Sequence, residues 1–123
     1  MTELAEVELS THEGVPVAAV TGEIDLSNAD ATLHRLLDLA DGEARRLVLD
    51  LSRLDYLDSA GVRILFRLGS AGDARGARLR AVVPAAAPIR RVLDLADVGK
   101  VLAVHETVDD AVTALRRTGG ATP

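Results

Sequence analysis

The chain has 123 residues, a formal net charge of -5, 48% hydrophobic residues and only 2% aromatic ones. That length suits one domain with a core that needs no staples, and the negative balance and scarce aromatics argue against a nucleic-acid or anionic-membrane surface. Cysteine is absent, which excludes disulfides, a thiol nucleophile and the usual zinc clusters. The acidic start Met1-Thr2-Glu3-Leu4-Ala5-Glu6 lacks the basic and apolar regions of a signal peptide. No apolar run approaches the ~18 residues of a membrane span, so a cytoplasmic protein without membrane contact is expected.

Ala5, Val7 and Leu9 alternate with Glu6, Glu8 and Ser10, the pattern of a half-buried strand. Thr11-His12-Glu13-Gly14 makes a turn, and Val15 to Thr21 returns as an antiparallel partner, with Pro16 at its start or edge. Thr21 to Leu26 reads as a polar loop. Ser27 and Asp30 approximate a capping box for a helix carrying Leu33, Leu36, Leu37 and Ala40, ended at Asp41-Gly42 with Gly42 in the left-handed region.

Leu47-Val48-Leu49-Asp50-Leu51 is almost continuously apolar and suits a central strand covered on both faces. Ser52 to Asp58 leads from it to a helix start at Ser59 and Ala60. Val62, Leu65, Phe66 and Gly69 share one face of that helix, which decays into a loop over Gly69, Gly72 and Gly76. Arg78 to Val83 is a strand closed by Pro84. Ala85 to Asp97 is a helix with Pro88 in its first turn and Ile89, Val92, Leu93 and Ala96 inward. Val101 to Val104 is a last strand. Thr107 to Asp110 caps a final helix through Ala111, Val112 and Leu115, with Arg116 and Arg117 at its end and a flexible tail over 118–123. The order β-β-α-β-α-β-α-β-α gives an α/β domain over 1–117: a mixed, mostly parallel sheet, an antiparallel first pair and about four helices.

Motifs for chemistry fail one after another. Gly99-Lys100 lacks the P-loop glycine at Asp94 and the hydroxyl residue at Val101; Leu57 stands where a nucleophile elbow around Ser59 needs glycine. His12, His34 and His105 have no metal-ligand spacing. Arg45-Arg46 and Arg90-Arg91 are short pairs in an acidic chain, as expected of a solvated face. Neither a metal nor a cofactor is expected.

Two places are left. Asp58-Ser59 and Asp25 each follow a strand and precede a helix, and loops after parallel strand ends gather along one sheet edge where partners bind. Either Ser59 or Asp58 simply caps the helix, or Ser59 holds a hydroxyl out for chemistry done by another protein. Asp25 is either a turn acid or part of an acidic surface around that hydroxyl.

The stretches Thr21-Gly22-Glu23-Ile24-Asp25, Val48-Leu49-Asp50-Leu51 and above all Tyr56-Leu57-Asp58-Ser59-Ala60-Gly61 resemble the STAS domain, specifically the bacterial anti-sigma factor antagonists. Val83-Pro84 and Ile89-Arg90-Arg91-Val92-Leu93 fit the same pattern, so the likeness covers nearly the whole chain. It implies a binding module, not an enzyme. Unphosphorylated, it would bind an anti-sigma factor serine kinase and free a sigma factor; the kinase, using ATP and magnesium, would phosphorylate Ser59 and break the complex; a serine phosphatase would restore it. Asp25, Asp58, Ala60 and Gly61 would shape the docking surface. Ala60 departs from the serine or threonine common beside the acceptor. Two other roles remain open: an interaction subunit of a stress-signalling or lipid-transport assembly, and a nucleotide-binding protein.

Overall fold

A computed structural model describes residues 5–42 and 45–120. The acidic N-terminal residues 1–4, and residues 121–123 of the expected tail, lie outside the described residues.

The strands are β1 (Ala5–His12), β2 (Val15–Ile24), β3 (Arg46–Asp50), β4 (Leu54–Leu57), β5 (Arg78–Val82) and β6 (Ala103–His105). The helices are α1 (Ala29–Ala40), α2 (Ser59–Arg75), α3 (Arg90–Leu95) and α4 (Val108–Gly120). One sheet has the order β1-β2-β3-β5-β6, with β4 also paired to β2. β1 and β2 are antiparallel, and β2 is parallel to β3 and β4, β3 to β5, and β5 to β6. The fold is therefore the expected mixed α/β sheet with an antiparallel first pair.

Alternation along the strands divides the core. Ala18, Val20, Leu47, Leu49 and Ala81 join Leu36, Ile64, Leu65, Leu68 and Leu93 from α1, α2 and α3. Val15, Val17, Val48 and Val82 point the other way, onto Ala111, Val112 and Leu115 of α4. β3 pairs on both sides and buries Leu47, Val48 and Leu49, which is why its sequence is so evenly apolar. Pro16 lies at the start of β2, before pairing with β3 begins at Val17.

Several boundaries differ from those read in the sequence. Gly22, Glu23 and Ile24 belong to β2 and not to a loop, because β2 continues alongside the unforeseen strand β4. α1 begins at Ala29 after Asn28; Ser27 makes no capping box and donates its hydroxyl to Asp25 Oδ1 at 2.6 Å. Gly42 is not in the left-handed region, which is adopted by Arg45 at φ 50°. α2 does not decay at Gly69 but runs to Arg75, where Gly76 at φ 72° ends it. The missing side chain at Gly69 is filled by a neighbour: a Cβ there would collide with the backbone oxygen of Val101. Leu65 and Gly69 are buried while Val62 and Phe66 are half-buried, since Ile64 and Leu68 share the inner face.

α3 starts only at Arg90, because 84–89 form turns, and Val92 is exposed instead of inward. Ile89 and Leu93 are buried as expected. β6 starts at Ala103; Val101 follows a short 3₁₀ turn, Val98–Lys100, and is partly exposed. α4 is capped by Thr107, whose Oγ1 accepts from Asp110 N at 3.1 Å, and extends through Gly120.

Candidate partner-binding site

β2 and β4 run parallel and end level, with Ile24 opposite Leu57. The two chains leaving them are thus neighbours, as the order of elements suggested. Asp58 N donates to Ile24 O at 3.2 Å and fixes the turn into α2.

Asp58 is the N-cap of α2. Its Oδ1 accepts from Gly61 N at 3.0 Å and its carbonyl from Val62 N at 2.9 Å. Its other oxygen, Oδ2, accepts from Leu26 N at 3.2 Å, across the gap to the β2–α1 loop. One carboxylate therefore binds both loops together. With capping supplied by Asp58, Ser59 is the first residue of α2, exposed, and among the described residues its hydroxyl has no hydrogen-bond partner. The first turn of α2 contains no acid after the cap.

Gly61 is buried under this turn. A Cβ there would lie 2.7 Å from Leu57 Cβ and 3.1 Å from Ile24 O, so only glycine lets α2 start so close to the ends of both strands. Ala60 is half-buried against the main core. Asp25 is half-buried and committed to its own turn: Oδ1 accepts from Ser27 N at 2.9 Å and from the Ser27 hydroxyl, and Asp25 N donates to Asn28 Oδ1 at 2.9 Å. Ser59, Asp58, Gly61 and the Asp25 loop are brought together; the carboxylate of Asp25 serves the loop's own shape.

Leu26 escaped the sequence reading. It is 82% exposed, next to Asp25 and held to Asp58 through its backbone. Tyr56, the chain's single tyrosine, is also exposed, on β4. Both had a signal: a large apolar side chain in a polar turn, and an aromatic in a chain with almost none.

Four of the remaining candidates, Arg90, Arg45, His12 and His105, contact other parts of the fold. Arg90 donates to Val83 O at 2.6 Å, to Glu106 at 3.0 Å and to Asp94 at 3.0 Å. The hydrogen bond to Asp94 raises its pKa most, burial opposes this, and Glu106 adds to the rise. Arg45 donates to Arg75 O at 2.7 Å. His12 Nε2 lies 2.6 Å from Asp109 Oδ1 and 3.6 Å from Glu13 Oε2, an exposed cluster that joins the β1–β2 turn to α4. The His105 pKa is lowered, mainly by burial and next by Arg80, with Asp110 opposing.

The profile of the STAS domain matches residues 6–111. The chain belongs to the STAS domain family. The anti-sigma-F factor antagonist RsfB of Mycobacterium tuberculosis is 31% identical over 111 residues, 89% of this chain and 88% of RsfB. An anti-sigma factor antagonist from Mycobacterium paratuberculosis has a crystal structure similar to this STAS domain, with a TM-score of 0.75 and 30% identity over 91% of this chain and 94% of that one. The unphosphorylated form of the Bacillus anti-sigma factor antagonist SpoIIAA shares the fold at 18% identity, with a TM-score of 0.68 over 90% and 96% of the two chains. No helix among the described residues of this STAS domain is long and apolar enough to cross a membrane.

Proposed function

We propose that this STAS domain is a cytoplasmic anti-sigma factor antagonist whose docking surface is switched at Ser59. Unmodified, it binds an anti-sigma factor that is a serine kinase, and the sigma factor held by that kinase is released. The kinase then transfers the γ-phosphoryl group of magnesium-bound ATP. The Ser59 Oγ–P bond forms as the bond to the ADP oxygen breaks, and the hydroxyl proton leaves to a base on the kinase. A serine phosphatase hydrolyses the phosphoester and restores the binding form. The domain supplies the acceptor and the surface, and no catalytic step of its own.

The observation that carries this reading is the division of labour between two adjacent residues. Asp58 caps α2, so Ser59 is spared that task and leaves its hydroxyl exposed at the helix N-terminus, with no hydrogen-bond partner among the described residues. Phosphate there adds roughly -1.5 to -2 charges next to Asp58. A partner surface that accepts a neutral hydroxyl beside one carboxylate is then opposed by a cluster of negative charge. Gly61 and Ala60 support that surface from within, and Asp25 shapes its neighbouring loop. Relatives at about this level of identity are themselves named anti-sigma factor antagonists.

The test is intact-mass and phosphosite measurement after incubation with candidate anti-sigma kinases, ATP and magnesium. Wild type should gain one phosphoryl group, on Ser59, and Ser59→Ala none. Phosphorylation of Ser59→Ala by the same kinase would overturn the site. Ser59→Asp binding that kinase as tightly as wild type would overturn the switch.

A further inference from the structure

We propose that the Asp58 carboxylate is a latch that holds Leu26 beside the acceptor serine as the apolar anchor for the kinase, and that a phosphate on Ser59 opens it. This rests on the reading of Ser59 as acceptor. The two oxygens of Asp58 have separate tasks: Oδ1 caps α2 through Gly61 N, and Oδ2 takes Leu26 N. The Leu26 turn is otherwise closed upon itself and β2. Asp25 O accepts from Asn28 N and Ala29 N, Asp25 Oδ1 from Ser27, and Asn28 Nδ2 donates to Glu23 O. Among the described residues, the Leu26–Asp58 bond is the one hydrogen bond from residues 25–28 to the first turn of α2.

The side chain so positioned buries almost nothing in the free chain, with 82% of its surface exposed. A leucine held by its backbone next to the residue before Ser59 can enter an apolar socket on the protein that reaches that hydroxyl, where burial removes its exposed surface from water. Asp58, Asp25 and the exposed Glu23 make the surroundings acidic, so the socket should have a cationic rim.

Phosphate transferred from ATP to Ser59 Oγ sits one residue from Asp58. The amides of Ser59 and Ala60 in the first turn of α2 have no acceptor among the described residues and attract it. Like charge then pushes against the Asp58 carboxylate, and its longer, exposed bond to Leu26 N is the one to give way. Phosphorylation thus removes the anchor as well as adding charge.

Asp58→Asn separates the two tasks. The substituted side chain keeps an oxygen to accept from Gly61 N but turns an NH₂ donor toward Leu26 N–H. Amide hydrogen exchange by NMR on the free protein compares wild type, D58N and protein with phosphoserine installed at position 59 during translation. Exchange at Leu26 should rise about tenfold in both altered proteins, with Val62 unchanged. Unchanged exchange at Leu26 in both overturns the latch. With the kinase identified by the Ser59 mass measurement, Leu26→Ala should weaken binding about tenfold, and D58N should cost less in the L26A background than alone. If L26A binds as wild type, the anchor is overturned while phosphorylation of Ser59 still stands. If no anti-sigma kinase phosphorylates wild type, the acceptor reading falls and the anchor with it, and the exchange comparison still decides the latch.

Discussion

Helices α2 and α4 pack against opposite faces of one sheet, and their N-termini are finished in different ways. At α4, Thr107 caps the amide of Asp110, Asp109 and Asp110 fill the first turn, and His12 at the end of β1, beside the β1–β2 turn, meets Asp109. Arg116 further along pairs with Glu13 of the same turn. That helix end has its dipole balanced by its own acids and is tied to the rest of the fold. At α2 the cap is a carboxylate shared with another loop, the first turn carries no further acid, and the leading serine hydroxyl has no partner among the described residues. A phosphate would be repelled at the start of α4 and accommodated at the start of α2. The contrast shows that a helix start in this fold can be either a fastening or an open site, according to the two or three residues after the cap.

The bodies of the two helices differ as well. α2 has glycine at 61, 69 and 72, whereas Val108–Arg117 of α4 has none. Gly69→Ala breaks this difference with the largest effect expected. Helix propensity alone favours alanine by about 1 kcal/mol. Here the new Cβ would run into the Val101 carbonyl, which is backbone and cannot swing away. Overpacking costs about 1–3 kcal/mol and should win, so urea denaturation should show a net loss of stability. A gain would mean that α2 is not held against the segment entering β6.

Thr107→Ala comes next. It removes the α4 cap and should cost about 1 kcal/mol. The comparison requires that it leave Ser59 phosphorylation and kinase binding unchanged, since the cap belongs to the fastened end. A stability loss with impaired binding in the same assay would erase the distinction between the two helix starts.

The broad architecture was legible because burial writes periodicity into the chain. Leu47 to Leu51 reads as a central strand, and the sequence of turns leaves little choice but a parallel sheet after one hairpin. β4 is hidden in the sequence because Asp55 and Tyr56 are exposed, and the four-residue strand Leu54–Leu57 buries only the residues at its ends. The length of α2 was hidden for another reason: the cost of a helical glycine is visible locally, while the close approach that offsets it comes from Val101, distant in sequence. At the site, spacing alone left both Ser59 and Asp58 as possible caps. Only the geometry assigns the cap to Asp58 and shows its second oxygen on Leu26 N. Leu26 is masked in the sequence by the charged residues Glu23 and Asp25 before it.

The smallest effect expected concerns the α4 side, and it is a pH dependence. His105 ends β6 just before the Thr107 cap, with its Nε2 3.5 Å from Arg80 Nη1. Burial first, and the Arg80 charge second, hold its pKa below the ordinary 6.5, while Asp110 at the start of α4 pulls the other way. The folded protein thus favours neutral His105 more than the unfolded chain does. Its contribution is fully present above the unfolded value and is lost as pH falls through the lowered folded value. The ring is only partly buried, so solvent screening keeps the effect small. His105→Gln should therefore lose slightly less stability than wild type between about pH 7.5 and about pH 5.5, measured by urea midpoints at each pH. Equal losses in the two proteins would show that the Arg80–His105 contact does not discriminate between the charged and neutral ring. Because His105 ends β6 next to the start of α4 and not of α2, the same substitution should leave phosphorylation of Ser59 at neutral pH untouched. The titration then acts on the fastened helix end alone.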